Sequence, residues 1–264
     1  MLRHALTMTD AAFSDLAPWT VAVLPLGAME AHGPHLPIGT DTILAEAVVD
    51  AAAAAFRQMS GGLSVLRLPA LWLGASQEHG ARVGTLSASD TQVVESINAI
   101  VAGLARSGVR RILLVNAHGG NISPSRQAAL EARVRHGALC AAVHWQDFGL
   151  PDEDARMPDE LRLRPAQRRD VHGGWIETSM MLAYRPDLVR QPLPPATATT
   201  PPGPSFFPDG PVHWGWMSDD LGADGYIGTP GLASAEIGEA ILGHAGAALA
   251  GVIREMADAD LPVT

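Results

Sequence analysis

Short apolar runs alternate with helix-like segments along the first half of the chain, between residues 20 and 145. The runs "TVAVLPLG", "LSVLRLP", "VRRILLVN" and "ALCAAVHW" are bounded by Gly, Pro or polar residues, which predicts buried β-strands. Between them lie three segments, 41–59, 89–108 and 123–137, with the apolar spacing of helices. Strands that alternate with helices are typical of a parallel sheet covered on both faces. The sequence therefore predicts an α/β fold with a mostly parallel sheet.

Capping signals mark several of the predicted helix ends. Ser89 and Gln92 form a capping-box pattern, and Gly108 is expected to end the same helix. Thr40 or Asp41 is expected near the N-cap of the first helix, since short polar side chains there satisfy free backbone N–H groups. The alanine-rich segment from 234 to about 256 predicts a final helix that faces the core.

Two stretches, 146–171 and 185–230, are rich in Pro, Gly, Asp and Arg and carry no firm element prediction. The longest irregular piece, 191–220, is typical of a lid, a binding loop or a subunit contact. The basic run 162–169 is interpreted as a solvated loop. The aromatic side chains of segment 191–220 would suit a lid, a binding loop or a subunit contact. They are Phe206, Phe207, Trp214 and Trp216.

The composition is that of an acidic protein with one cysteine. Its 264 residues and 47% hydrophobic content suffice for one large core, so we expect a single domain over residues 1–264. The net charge of -10 argues against nucleic acid or an anionic membrane as a partner. Cys140 alone allows neither an intrachain disulfide nor a thiolate zinc site, and its apolar run predicts a buried residue. The start of the chain lacks an apolar signal segment and no run reaches ~18 uninterrupted apolar residues, so we expect a cytoplasmic protein.

Glycine-rich polar loops follow two of the predicted strands. "GAMEAHGPHLPIGTD", residues 27–41, follows the first strand, and the loop 116–123 follows the third. In parallel sheets the carboxyl ends of the strands meet at one edge, where ligands bind. The side chains that we expect to lie close together at that edge are Glu30, His32, Asp41 and His118.

The residue types in these loops suit a metal ion. Glu177 is expected on a short helix with His172 just before it, which adds a carboxylate and an imidazole. Carboxylates combined with two or three imidazoles favour Zn²⁺ or Mn²⁺. Since "AHGGN" has no neighbouring Lys or Arg, a phosphate-binding loop is a weaker interpretation.

Structural roles compete with the metal interpretation for each residue taken alone. A single histidine is more often a hydrogen-bonded structural group than a ligand, and Asp41 could serve only as an N-cap. His35 could orient the loop instead of touching a metal. Glu78 and His79, in "GASQEHG", are ambiguous on chemistry alone. The cluster is stronger than its members because one edge of the sheet collects several of them.

Five motifs occur in order between residue 20 and about residue 245. They are "GAMEAHGPHLPIGTD", "GASQEHGARVGTLS", "VNAHGGN", "HGGWIETSMML" and "GYIGTPGLASAEIGEAIL". Together they resemble the motifs of the creatininase family of amidohydrolases. The first motif is long and specific, so chance is a poor explanation of the match.

This resemblance implies a three-layer α/β/α fold, two divalent metal ions per chain, and hydrolysis of a non-peptide, often cyclic, amide C–N bond. The ions would be Zn²⁺ or Mn²⁺, with Fe²⁺ as an alternative. Asp41 matches the bridging carboxylate, His172 the catalytic histidine and Ser76 a substrate-contacting serine. The family is also homo-oligomeric, often hexameric. The positions that match metal ligands are Glu30, His32, Asp41, His118 and Glu177.

A mechanism follows from the same resemblance. A hydroxide activated by the two metals would attack the amide carbonyl group, and His172 would carry the proton to the leaving nitrogen. Glu177 is expected to contribute to catalysis besides binding metal. The backbone N–H groups of Gly119 and Gly120 could bind the carbonyl oxygen or the oxyanion.

The sequence departs from creatininase at two places. Creatininase has an acidic residue two positions after the histidine equivalent to His118, where this chain has Gly120. We therefore expect the second metal to depend more on Glu177. Creatininase also encloses its substrate with tryptophans from the segment before its catalytic histidine, where this chain has "QRRDVHGG". Creatinine is thus not the expected substrate, and Arg168 and Arg169 would suit either an anionic substrate group or the surface.

Two other classes of function stay open at this point. The chain could be a non-catalytic protein that keeps the fold and binds a small molecule, although the full ligand set argues against it. It could also be a metal-dependent isomerase or ring-opening enzyme that acts on a sugar-like ketone. A fold shared by several chemistries does not name the substrate.

Overall fold

A parallel sheet forms the centre of the protein in a computed structural model that describes residues 2–57, 62–151, 156–157, 170–197, 201–203, 205–208 and 212–261. Its strands are β1 (Leu2–His4), β2 (Val21–Leu26), β3 (Val65–Arg67), β4 (Arg111–Asn116) and β5 (Leu139–His144). The strand order is β1-β3-β2-β4-β5, and every pair in it is parallel. The predicted strands correspond to β2, β3, β4 and β5.

Helices cover both faces of this sheet. They are α1 (Asp10–Ser14), α2 (Thr40–Phe56), α3 (Asp90–Arg106), α4 (Ile122–His136), α5 (Trp175–Tyr184), α6 (Ser218–Leu221) and α7 (Ala235–Asp258). Buried residues of α2, α5 and α7 form one core with the sheet, and those of α3 and α4 form the other. The predicted three-layer α/β/α fold is confirmed.

Both faces of the central strands are apolar, which explains the unbroken apolar runs of the sequence. In β2, Val21 and Val23 enter the core under α2 and α7, while Ala22 and Leu24 enter the core under α3. Side chains alternate between the two faces of a strand, so a strand covered on both sides is apolar at every position.

The caps of α3 and α2 differ in how well the sequence predicts them. The capping box of α3 is present, with Ser89 Oγ accepting from the Gln92 N–H and Gln92 Oε1 accepting from the Ser89 N–H. By contrast, the N-cap of α2 is Gly39, and Thr40 and Asp41 follow it as the first two residues of the helix, near the N-cap as expected. The Asp41 carboxylate faces two histidines, so its role is not that of a cap alone.

Strand β1 has no counterpart among the predicted elements. It has only three residues and lies at the edge of the sheet, where it is only partly buried and carries Arg3 and His4. Such a segment lacks the apolar run that identifies β2 and β4. Cys140 in β5 is half-buried, and burial raises the pKa of its thiol to about 12. The basic run 162–169, with Arg168 and Arg169, lies outside the described residues.

Helix α7 is long and apolar enough to cross a membrane by length and composition alone. Within the protein, however, 56% of its most apolar window is buried. Ile241, Leu249 and Ile253 all belong to the core that α7 shares with α2 and α5. We interpret it as the core-facing helix predicted from the alanine-rich sequence.

Candidate metal centre

Three loops meet at the carboxyl edge of the sheet. Leu26 at the end of β2 pairs with Asn116 at the end of β4, so the loops that follow emerge side by side. Asn121 joins them: its amide donates to the Gly27 carbonyl oxygen at 2.9 Å, and its Oδ1 accepts from the Ala75 N–H at 3.0 Å. One buried side chain thereby fixes the loops after β2, β3 and β4.

The segment before α5 packs against the first of these loops. The His172 N–H donates to the Ile227 carbonyl oxygen, and the Ile227 N–H donates to the His172 carbonyl oxygen. Gly173 has a φ of 61°, and a Cβ there would lie 3.0 Å from Tyr226 Cβ and 3.4 Å from the His32 carbonyl oxygen. Glycine permits this approach. As a result, the imidazole rings of His172 and His32 lie 4.1 Å apart between centroids.

Asp41 lies between two histidines. Its Oδ1 is 3.2 Å from His32 Nε2, and its Oδ2 is 3.2 Å from His118 Nδ1. Glu177 Oε2 is 3.7 Å from the same His32 nitrogen. All four side chains are buried. The two oxygens of one carboxylate therefore face two different imidazoles.

Glu30 occupies the other side of the cluster. Its Oε2 lies 3.4 Å from His118 Nδ1. Its Oε1 lies 3.5 Å from both His172 Nδ1 and His79 Nε2. The Glu30 side chain is only 1% exposed, so its charge requires compensation from within the protein.

Backbone carbonyl oxygens fix the tautomers of three histidines. The Nδ1 of His32 donates to the Glu30 carbonyl oxygen at 3.1 Å. The Nε2 of His118 donates to Ala75 at 2.8 Å, and the Nε2 of His172 donates to Ala31 at 2.6 Å. Since a carbonyl oxygen can only accept, the opposite ring nitrogen of each neutral histidine presents a lone pair to the carboxylates. Metal-ligating histidines are usually oriented in this way.

The donor set fits divalent metal ions. Glu30 Oε2 and Asp41 Oδ2 are buried and accept no well-aligned hydrogen bond within the described part of the chain, although His118 Nδ1 lies 3.4 and 3.2 Å from them. A buried carboxylate oxygen without such a bond is costly unless a cation compensates it. Side chains within ligand distance of one another form the groups Glu30/His32/His172, Glu30/Glu78/His118 and His32/Asp41/Glu177. Carboxylate and imidazole ligands are those of Zn²⁺ and Mn²⁺ sites.

The pKa values of the buried histidines reflect the negative charge of the carboxylates around them. Burial opposes protonation of His32, but the Asp41 carboxylate, with Glu177 and Glu30, outweighs it and raises the His32 pKa to about 10. The His118 pKa is likewise well above its usual range, because Glu30 and Asp41 outweigh burial. Burial and the neighbouring His32 lower the pKa of His172 to about 3. Without a metal ion, protons on His32 and His118 therefore balance the carboxylate charge that bound cations would otherwise balance.

Glu177 is held at the start of α5. Its Oε2 accepts from the Gly173 N–H at 2.6 Å. Burial, together with the Asp41 and Glu30 charges, raises its pKa to about 7 despite the opposing effect of His32. Asp170 positions the same turn by accepting a hydrogen bond from the Ile176 N–H. The bond from the Gly173 N–H, just before the helix, thus orients the Glu177 carboxylate toward His32, while Asp170 bonds the first turn of the helix.

Metal binding is expected to release protons. His32, with a pKa of about 10, and His118, with a pKa well above 6.5, carry protons at pH 7 that a metal must displace. We expect Zn²⁺ loading at pH 7 to release more than one proton, from His32, from His118 and in part from Glu177 with its pKa of about 7, and the apparent affinity to weaken as pH falls from 9 to 6. Titration calorimetry in buffers with different ionisation enthalpies measures this number. Uptake of metal without proton release would contradict the arrangement.

The other sequence-predicted residues also lie at this edge. Ser76 is buried, with its Oγ 3.3 Å from His118 Nε2, and Gly119 and Gly120 begin the turn after His118. Their contacts with a substrate stay predictions. His35 bonds the Gly173 carbonyl oxygen at 2.9 Å and lies 3.1 Å from Thr178 Oγ1. It therefore orients the loop, as the sequence suggested.

Two residues of the cluster were left ambiguous by the sequence. Glu78 Oε1 lies 3.8 Å from His118 Nε2, and the ring of His79 lies 4.1 Å from that of His172. The only signal for them was the "QEH" of the second motif, whose loop has no apolar pattern to fix its position.

A tryptophan and an arginine border the cluster on the solvent side. Trp216 approaches the ring of His79 edge-on at 6.3 Å. Arg82 holds the neighbouring segment by bonds to Asp219 and to the carbonyl oxygens of Gly222 and Ala223. Part of the predicted lid segment 191–220 therefore lies against the site of its own chain.

Comparison with known proteins identifies the family. The family model for creatininase, described as creatinine amidohydrolase, matches residues 4–253. This chain belongs to the creatininase family. The creatinine amidohydrolase of Pseudomonas putida is 30% identical over 252 residues, which cover 89% of each protein. The predicted resemblance is confirmed.

Curated relatives carry other activities. A mycofactocin precursor peptide peptidase from Mycobacterium ulcerans is 32% identical over 179 residues, or 65% of this chain. The chain spans only 61% of the length of that relative. A 3-dehydro-scyllo-inosose hydrolase from Thermotoga maritima is 25% identical, over 81% of this chain and 70% of the relative. Family membership alone therefore leaves several substrates open.

Solved structures of the family share the fold along the whole chain. A Bacteroides fragilis protein assigned as a creatinine amidohydrolase superposes with a TM-score of 0.80, at 26% identity and 98% coverage of both chains. A manganese form of creatininase superposes with a TM-score of 0.76, at 27% identity, covering 97% of this chain and 99% of that one. Another solved creatininase, a variant, is described as a Zn-Zn type.

Proposed function

We propose that this protein is a dinuclear metal-dependent hydrolase of a non-peptide amide C–N bond, in a cyclic amide or a formamide. One observation carries the proposal: Asp41 directs Oδ1 to His32 and Oδ2 to His118. A carboxylate shared by two ligand groups is suited to hold two cations roughly 3.5–4 Å apart. Asp41 belongs to the group His32/Asp41/Glu177, and its Oδ2 reaches the second group, Glu30/Glu78/His118, through the 3.2 Å approach to His118 Nδ1. Zn²⁺ and Mn²⁺ are the proposed ions, with Fe²⁺ as an alternative.

The chain's own residues would orient the substrate and move protons. Cations held by these groups would lower the pKa of a water molecule to about 7 and polarise the scissile carbonyl group. The bond from His172 Nε2 to Ala31 leaves Nδ1 facing the cluster, 3.5 Å from Glu30 Oε1. With its pKa lowered to about 3 by burial and His32, His172 is neutral at pH 7, so Nδ1 would accept a proton only transiently and, as a strong acid once protonated, pass it to the leaving nitrogen. Glu177 is fixed by the Gly173 N–H, and the same oxygen, Oε2, lies 3.7 Å from His32 Nε2.

An open cavity near the cluster has room for a small molecule, although no carboxylate or imidazole of the cluster lines it. A cavity of about 580 Å³ reaches Ala31, whose carbonyl oxygen fixes His172, and continues to Arg82 and Asp219. This volume lies in the range of small-molecule sites. The charged pair at its rim would suit a polar ligand. A peptide is the competing substrate, because the Mycobacterium ulcerans relative is a peptide peptidase.

A substrate screen tests the proposal. The protein would be prepared with Zn²⁺ or Mn²⁺ and, as a control, stripped by a chelator. Both forms would be incubated with cyclic amides, formamides and short peptides, and the products would be weighed by mass spectrometry. We expect metal-dependent addition of one water to a cyclic amide or a formamide. Cleavage of peptides alone would overturn the non-peptide assignment, and absence of any hydrolysis would overturn the enzyme assignment.

A ring-opening enzyme or an isomerase acting on a sugar-like ketone is the second candidate. The observation that favours it is the likeness to the Thermotoga maritima hydrolase, named for an inosose substrate. Product mass separates the possibilities, because hydrolysis adds a water molecule and isomerisation does not. Turnover of any substrate would exclude a purely binding role.

Assembly and location stay predictions. We propose a homo-oligomer, with a hexamer favoured, in the cytoplasm, acting on a small molecule and without a nucleic-acid or membrane partner. The net charge of -10 supports the last point. Sedimentation of the purified protein would give the oligomer size.

A further inference from the structure

Four aromatic rings follow one another from the metal cluster toward solvent. The ring centroids of His32 and His172 lie 4.1 Å apart, and those of His172 and His79 are separated by the same distance. Trp216 then meets His79 edge-on, at a centroid distance of 6.3 Å. The three histidines are buried, whereas Trp216 is half-buried, so Trp216 is the ring of this series that borders the solvent.

The most exposed part of the cluster lies beside the same tryptophan. The Glu78 side chain is 20% exposed, compared with 11% for Glu177 and 7% for His172. His79, which Trp216 contacts, is the next residue after Glu78 and lies in the same short turn. A molecule that reaches the buried carboxylates from the side of Glu78 therefore passes the indole ring of Trp216.

Arg82 holds the segment that carries the tryptophan. The Arg82 N–H donates to the His79 carbonyl oxygen at 2.9 Å, so the two residues belong to one turn of the loop after β3. The Arg82 guanidinium bonds Asp219 and two backbone carbonyl oxygens just beyond it. The loop that places His79 in the cluster thus also anchors the chain that follows Trp216.

We propose that Trp216 forms one wall of the substrate site and selects substrates that place a planar, apolar group against its indole ring. This inference rests on the proposed metal-dependent hydrolase. Trp216 belongs to none of the five sequence motifs, so the resemblance to the family assigns it no role. Contact between two aromatic rings strengthens binding beyond the area that it buries.

Two hydroxamates test this contact without a known substrate. Acetohydroxamate and benzohydroxamate chelate a metal ion through the same two oxygens, and only the second carries a phenyl ring. With the Zn²⁺-loaded protein, we expect Trp216→Ala to weaken benzohydroxamate binding about tenfold and acetohydroxamate binding by less than about twofold. Trp216→Phe keeps an aromatic ring and should stay close to the wild type. Titration calorimetry measures both affinities.

Trp19→Ala is the matched control, because Trp19 is 50% exposed and precedes β2, at the opposite edge of the sheet. Its ratio of the two affinities should equal that of the wild type. An unchanged ratio in Trp216→Ala would overturn the proposed contact, and so would tighter binding of benzohydroxamate, which would make Trp216 a steric barrier. If the wild type supplied with Zn²⁺ bound neither hydroxamate, the metal centre itself would fail, which separates the two failures.

Discussion

Asparagine in place of Asp41 is expected to remove both metal ions from the protein. Oδ1 of this carboxylate faces His32 and Oδ2 faces His118, so each proposed site loses a charged ligand at once. An amide has nearly the same shape but no negative charge, and it leaves two imidazoles beside it without their shared counter-charge. We expect metal content close to zero after dialysis, and hydrolysis to fall below detection. Elemental mass spectrometry of the purified variant is the measurement.

Glu46→Gln is the matched control for this substitution. Glu46 lies further along α2 and belongs to none of the groups that could hold a metal among the described residues. Loss of one charge on the same helix should leave the metal content unchanged. If Asp41→Asn kept two metals, the bridging role would be wrong. If it kept one, Asp41 would serve a single site.

Alanine in place of His172 is expected to leave the metals bound and to slow turnover by roughly 10²–10⁴-fold. The ring lies between those of His32 and His79, with centroid distances of 4.1 Å to each. Its Nδ1 faces Glu30, while its Nε2 is occupied by Ala31. Because Nε2 is bonded to the backbone, Nδ1 is the nitrogen that can transfer a proton. The measurements are metal content and kcat with a substrate found by the screen.

Glutamine at position 172 separates proton transfer from positioning. Its amide can still donate to the Ala31 carbonyl oxygen, but it cannot act as a base near neutral pH. We therefore expect His172→Gln to be about as slow as His172→Ala, with both metals retained. Loss of a metal in both variants would instead assign His172 as a ligand, which the group Glu30/His32/His172 allows. Normal turnover with metal bound would exclude the proton-transfer role.

Elements with an unbroken apolar run were predictable from the sequence. Strands β2 and β4 are buried on both faces, so each of their positions is selected for packing. The capping box of α3 could be predicted because its hydrogen bonds join Ser89 and Gln92, which are only three residues apart. Strand β1 was missed because its three residues gain their structure from pairing with β3, a contact distant in sequence.

The site was predictable where it depends on the ends of strands. His32, Asp41 and His118 follow β2 and β4, which are neighbours, so the topology alone brings them together. Asp41 lies in the first turn of α2, as local capping preference suggests, but its contacts with His32 and His118 come from the tertiary fold and not from the local pattern.

The position of Glu78 could not be predicted from local pattern. It depends on the loop after β3, which Asn121 fixes through the Ala75 N–H across the sheet edge. A Cβ at Gly120 would overlap the Ala75 carbonyl oxygen, and this crowding likewise arises from two loops that are far apart in sequence. Such contacts have no periodicity that a single sequence can reveal, although the "QEH" triplet marked the place.

The number of metal ions bound per chain tests the central claim most directly. The protein would be expressed with zinc and manganese supplied, dialysed against metal-free buffer, and analysed by elemental mass spectrometry against its concentration. The account predicts about two equivalents per chain, reduced to near zero by Asp41→Asn. A wild-type protein that retained no metal would contradict it, because protonated His32 and His118 would then suffice to compensate the buried carboxylates of Glu30 and Asp41.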